Sequence, residues 1–161
     1  MTLNVTASAD EPVITFTRVL NAPRELVYQA WTDPRHVAQW FGPRGFTVPH
    51  CELDVRVGGR WRIDMQAPDG TVYPNQGVYL EVDPPRRLVY TDVVEDAAAW
   101  GDTPPPNSTV EVIFEEEDGQ TILTTITHLE SMEARDTMVE MGAIAGWTET
   151  LDRLAELVEA R

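Results

Sequence analysis

The sequence predicts an α+β fold in which a curved antiparallel sheet wraps round one long helix at the chain's end. Three observations carry this. The stretch from Ala134 to Ala160 repeats apolar residues at helical spacing through Met138, Met141, Gly142, Ala145, Trp147, Leu151, Leu154 and Val158. Most of the chain before it reads as strand, with β-branched and aromatic residues near period two. The strands are joined by short turns, which implies antiparallel neighbours. A helix over Ala134–Ala160 spans 27 residues, about 40 Å at 1.5 Å per residue. Its available partner is the set of strands, and a sheet wrapped round a helix leaves room for a cavity between them.

The elements follow in order. Residues 1 to 11 lack periodicity and read as a flexible terminus, leaving 12–161 as a single domain. Val13 to Leu20 alternates as a first strand. Asn21 stands as a helix cap, with Pro23 in the first turn and Glu25 near the positive end of the helix dipole, which starts a short helix over Arg24 to Trp31. Asp33-Pro34 starts a second short helix carrying Val37, Trp40 and Phe41, stopped by Gly42-Pro43.

Six strands follow: Thr47–Val55, Arg60–Gln66, Val72–Val82, Arg87–Val94, Thr109–Glu116 and Thr121–Leu129, about seven with the first. Gly58-Gly59, Pro68-Asp69-Gly70, Asp83-Pro84-Pro85 and Asp118-Gly119 supply the turns. Trp61, Ile63 and Met65 form one apolar strand face, directed toward the helix, while Arg60, Arg62 and Asp64 face away. Glu95 to Ser108 is a long connection holding Trp100 and three prolines, either a cover over a cavity mouth or plain packing.

Charge and composition exclude several functions. Twelve Lys and Arg against 27 Asp and Glu give a formal net charge of −15, which repels nucleic-acid phosphates and anionic lipid surfaces. No apolar run reaches membrane-spanning length and the start, MTLNVTASADEP, lacks the features of a secretory signal, so a cytoplasmic protein without membrane insertion is expected. The lone Cys51 reads as a small buried hydrophobe. His36, His50 and His128 occur without a nucleophile or metal motif beside them, and no phosphate-cradling loop, CxxC or HExxH occurs. No catalytic residue, metal or cofactor is therefore assigned.

Several motifs agree in order and spacing with one known group. They are Ala22-Pro23-Arg24-Glu25-Leu26-Val27-Tyr28-Gln29-Ala30-Trp31-Thr32-Asp33-Pro34, Trp40-Phe41-Gly42-Pro43, Asp54 to Arg62 with its Gly58-Gly59, Pro84-Pro85-Arg86-Arg87-Leu88, and Gly146-Trp147-Thr148-Glu149-Thr150-Leu151-Asp152-Arg153-Leu154. With the element order, they resemble the helix-grip fold of the START-like (SRPBCC) superfamily, and within it the branch named for the activator of heat-shock protein 90 ATPase. The resemblance implies a pocket between sheet and C-terminal helix, without naming a ligand.

Three functions stay open. The first is binding of a small apolar or aromatic molecule, as carrier, sensor or sequestering protein, with Trp61, Ile63, Met65, Tyr79, Tyr90, Trp100, Phe114, His128, Met138, Met141 and Ala145 as candidate ligand-binding residues. The second is an interaction module for a protein partner, which the chaperone-activator resemblance implies. The third is a cyclase- or hydratase-like enzyme using the same pocket, which needs polar groups such as His50, Asp64 and His128 to converge. Monomer and homodimer are both open, and dense packing of the apolar residues is the alternative to any pocket.

Overall fold

The computed structural model describes residues 3–7, 10–95, 97–101 and 104–160. Its strands are β1 (Leu3–Ala7), β2 (Val13–Leu20), β3 (Thr47–Leu53), β4 (Arg60–Gln66), β5 (Val72–Asp83), β6 (Arg87–Asp92), β7 (Ser108–Glu117) and β8 (Gln120–Leu129). They form one eight-stranded sheet in the order β1-β2-β8-β7-β6-β5-β4-β3, and every pairing is antiparallel. All seven expected strands are present. The eighth corrects the reading of the terminus as loose, because Leu3–Ala7 pairs with β2 from Leu3↔Arg18 to Ala7↔Ile14.

Two short helices follow β2: α1 (Arg24–Thr32) and α2 (Pro34–Trp40). Asp33 caps α2 by accepting the Arg35 N–H at 2.9 Å, with Pro34 at the first helical position. The expected cap at Asn21 is not made. Pro23 occupies the N-cap of α1 with an extended backbone and no side-chain bond, and the Asn21 N–H instead donates to Glu159 at 2.9 Å.

The C-terminal helix is also corrected. It is two helices, α3 (Met132–Glu140) and α4 (Ala143–Glu159), interrupted at Met141-Gly142. Gly142 adopts φ 88° as the N-cap of α4, a left-handed conformation that glycine takes at no steric cost. The apolar stripe runs through the break, so periodicity alone conceals it. Only α4, 17 residues long and about 25 Å, buries a face, through Thr150, Leu151, Leu154, Ala155 and Val158.

Strict alternation sets the inner face of the sheet: Ile14, Phe16, Arg18 and Leu20 on β2, and Thr121, Leu123, Thr125, Thr127 and Leu129 on β8, are buried while their neighbours are not. Trp61 and Ile63 are buried inward as expected, with Arg60 and Arg62 exposed. The Asp118-Gly119 turn joins β7 to β8 with both residues at positive φ, 54° and 79°, the backbone a two-residue hairpin of matching twist requires.

The motif carrying Trp40-Phe41-Gly42-Pro43 and the motif at the end of the chain meet in space. Arg153 of α4 points one guanidinium nitrogen at the carbonyls of Phe41, Gly42, Pro43 and Phe46, at 2.9 to 3.3 Å, and the other at Gln39 O at 3.1 Å. These carbonyls belong to the end of α2 and the loop after it, where intrahelical partners have run out. Arg44 on the same loop pairs with Glu156, its N–H donates to Glu149, and Arg18 of β2 pairs with Asp152. Helix α4 is thus fixed to the loop after α2 and to the sheet by polar contacts as well as by burial.

Candidate functional site: a cavity between the sheet and the C-terminal helices

The space between the inner sheet face and helices α3 and α4 is not filled. A cavity of about 240 Å³ lies there. The sheet contributes Ile14, Phe16, Met65, Asn75, Asp92, Ser108, Val110 and Thr127. The loop after α2 contributes Phe41, Gly42 and Pro43, the long connection Trp100, Pro105 and Pro106, and the helical side Met138, Met141, Gly142, Ala143, Gly146, Trp147 and Thr150. The helix break at Gly142 therefore borders the cavity, and Met141, 40% exposed, stands at its edge.

A smaller space of about 30 Å³ adjoins it, lined by Trp31, Val37, Trp40, Leu53, Trp61, Ile63, Tyr79, Leu88 and Tyr90. Phe41, Asp92 and Trp147 border both. The Trp147 ring stacks on Trp31 at 6.2 Å and meets Phe41 edge-on at 6.4 Å, forming an aromatic partition between the two.

Trp100 ends a short 3-10 helix, Ala97–Trp100. Its indole N–H donates to Pro74 O at 3.3 Å and its ring lies 5.0 Å from that of Tyr73. The long connection is thereby tied to β5, with Trp100, Pro105 and Pro106 as one wall of the cavity.

Of the residues expected to contact a ligand, Met65, Trp100, Met138 and Met141 line the larger cavity, and Trp61, Ile63, Tyr79 and Tyr90 the smaller. Three do not belong. Phe114 is buried on the inner face but packs beneath α1, against Tyr28 at 5.3 Å and Trp31 at 6.3 Å. His128 alternates with the inner residues of β8 and so faces outward, with Nε2 2.6 Å from Glu111 Oε1, in a group that includes Arg87. Ala145 is exposed on α4 and borders neither space.

The polar groups considered for an enzyme do not converge on either space: His50, Asp64 and His128 border neither. His50 lies on β3 opposite Asp64 of β4, exposed and 3.4 Å from Glu52, while Asp64 pairs with Arg62 at 3.0 Å. Cys51 is half-buried, and burial pushes its thiol up to about 11, which suppresses the thiolate. Among the described residues, no group of three or more His, Cys, Asp or Glu could hold a metal ion, and no helix is long and apolar enough to cross a membrane.

The cavity-lining carboxylate that sequence reasoning missed is Asp92. It is half-buried at the end of β6, borders both cavities, and its carboxylate makes no hydrogen bond or ion pair among the described residues. Burial pushes its carboxyl up to about 7. Its signal was present in the sequence: Leu88 and Tyr90 are buried, and period two carries the same inward face to Asp92. Asn75 was missed likewise. Its amide N–H groups donate to Ile63 O at 3.3 Å and Tyr73 O at 3.2 Å, so its oxygen is what remains for the cavity.

A curved antiparallel sheet closed by a C-terminal helix, with two short helices inserted ahead of its central strands, is the helix-grip fold of START-like proteins. The chain belongs to the family described as Activator of Hsp90 ATPase homolog 1-like protein, whose profile matches residues 21–159. Solved structures agree. A protein from Chromobacterium violaceum is 31% identical, with 92% of this chain and 97% of that one covered and a TM-score of 0.77. Proteins from Mycobacterium smegmatis and Nitrosomonas europaea are 28% and 27% identical, with TM-scores of 0.85 and 0.82; the matches cover 98% and 96% of this chain and 97% of each of those. No curated protein matches the chain.

Proposed function

We propose that this protein binds a small, largely apolar molecule, of one or two rings, between its sheet and its C-terminal helices, acting as a cytoplasmic carrier, sensor or sequestering protein. The observation that supports this is the unfilled space of about 240 Å³ walled by Phe16, Phe41, Trp100, Trp147 and three methionines. Protein interiors pack at crystal density with few voids larger than a water molecule, so a space of this size inside the fold's grip is a poor fit to dense packing. An apolar cavity of about 150 Å³ is enough to take up benzene. The methionines Met65, Met138 and Met141 give walls that adapt to the occupant.

Filling the cavity from the sheet side tests the reading. Val110 is buried on the inner face of β7 and lines the space. Val110→Phe is expected to lower the affinity for 2-naphthylmethanol at least tenfold, measured by calorimetry, while changing the unfolding free energy by less than about 1 kcal/mol, since the ring enters existing space. Unchanged affinity in the variant would place the probe elsewhere and count against this cavity as the site.

A further inference from the structure

The composition of the cavity walls constrains what an occupant carries. Among the described residues, neither space is lined by a lysine, arginine or histidine, and Asp92 is the only charged residue bordering either. No hydrogen bond or ion pair satisfies its carboxylate among the described residues. The polar side chains beside it have their hydrogens committed to the backbone: both Asn75 amide N–H groups to Ile63 O and Tyr73 O, the Thr150 hydroxyl to Gly146 O at 2.8 Å, and the Trp100 indole to Pro74 O. The hydroxyls of Ser108 and Thr127, which also line the space, adapt to either role. Phe41 and Trp147 border both spaces, as Asp92 does, and aromatic faces attract cations.

Resting on the binding function proposed above, we infer that the natural ligand is an organic amine: an apolar or aromatic body carrying a protonated nitrogen, which pairs with Asp92 while the body occupies the larger cavity. A neutral hydrocarbon would cover the half-buried carboxylate and leave it unpaired, and a carboxylic acid would set two like charges together. An ammonium group answers the one charged acceptor that the described walls leave open, and charge-assisted hydrogen bonds are about twice as strong as neutral ones.

Binding also moves a proton. Burial holds the Asp92 carboxyl near 7 in the free protein, and an adjacent ammonium favours its ionised form. The titratable groups that line the spaces with it are Tyr79 and Tyr90, both raised above their ordinary value by burial, so they stay neutral through this range. At pH 7 amine binding therefore releases roughly half a proton.

The test is isothermal calorimetry with 2-naphthylmethylamine and its neutral isostere 2-naphthylmethanol, on the wild type and Asp92→Asn. It is run at about 0.5 M salt so that the surface charge is screened. The wild type is expected to prefer the amine by about tenfold or more, with proton release revealed by comparing buffers of different ionisation enthalpy. In Asp92→Asn the ratio of amine to alcohol affinity falls to near unity. Equal affinities in the wild type, or a preference that survives in Asp92→Asn, would overturn the amine assignment and leave the cavity as a binding site. Failure of both probes to bind the wild type would overturn the assignment together with the binding function it rests on.

Discussion

Gly77→Ala is expected to destabilise the fold by more than about 4 kcal/mol, beyond the range of ordinary substitutions. A Cβ at Gly77 would lie 1.8 Å from the Thr91 carbonyl oxygen and 2.8 Å from Trp61 Nε1. That crowding has a purpose in the architecture. The pairing of β5 with β6 shifts register between Tyr79 and Glu81. Around the shift, the Trp61 indole donates to Thr91 O at 3.0 Å, the Val78 N–H to the Thr91 hydroxyl at 3.0 Å, and the Val93 N–H to Gln76 O at 2.9 Å. An added methyl must push β6 away, break the indole bond and shift Asp92, the next residue. With typical domain stabilities of about 5–15 kcal/mol, the variant should be recovered largely insoluble or melt far below the wild type. A urea transition within 1 kcal/mol of the wild type would show that β5 and β6 are not this close.

The second large effect has the opposite sign. Asp92→Asn is expected to stabilise the empty protein at alkaline pH, because the wild type holds a carboxylate where it is poorly solvated. The ordinary value is 3.8 and the folded protein raises it to about 7, so the folded state binds the proton more tightly. Below pH 4 both states are protonated and nothing is lost; between pH 4 and 7 the wild type loses stability as pH rises; above 7 the loss levels off at roughly 4 kcal/mol. The measured quantity is the difference in unfolding free energy between variant and wild type, in which the other carboxylates cancel. It should grow by about 2 kcal/mol in favour of the variant from pH 5.5 to pH 8.5. A flat difference would mean that Asp92 is solvated in the folded state. A group that costs stability in the empty protein and borders the cavity is the kind of residue binding sites retain.

The strands were legible because each buries one face, so the period of two is written directly into residues such as Leu88 and Tyr90, or Leu123 and Leu129. Strand β1 was not, because a five-residue edge strand is defined by its pairing with β2 rather than by a pattern of its own. The single long helix was misread because the stripe from Met138 to Ala145 keeps helical spacing across Gly142, and only the backbone angle there reveals the interruption. Half the site followed from strand parity: Trp61, Ile63 and Met65 point inward as the alternation requires. Parity also speaks against His128, which lies between the inward Thr127 and Leu129. Asp92 was passed over because a carboxylate at a strand end ordinarily lies in solvent. Phe114 and Ala145 depend on where α1 and α4 dock, which no local pattern specifies.

The binding function itself is tested most directly by the methionines. Of the five in the chain, Met65, Met138 and Met141 line the larger cavity and Met132, at the start of α3, does not. With carbon-13-labelled methionine methyls, titration with 2-naphthylmethanol should shift the resonances of Met65, Met138 and Met141 together along one saturating curve and leave that of Met132 in place. Shifts confined to Met132, or no saturable change in any of the three, would contradict a ligand site between the sheet and the C-terminal helices.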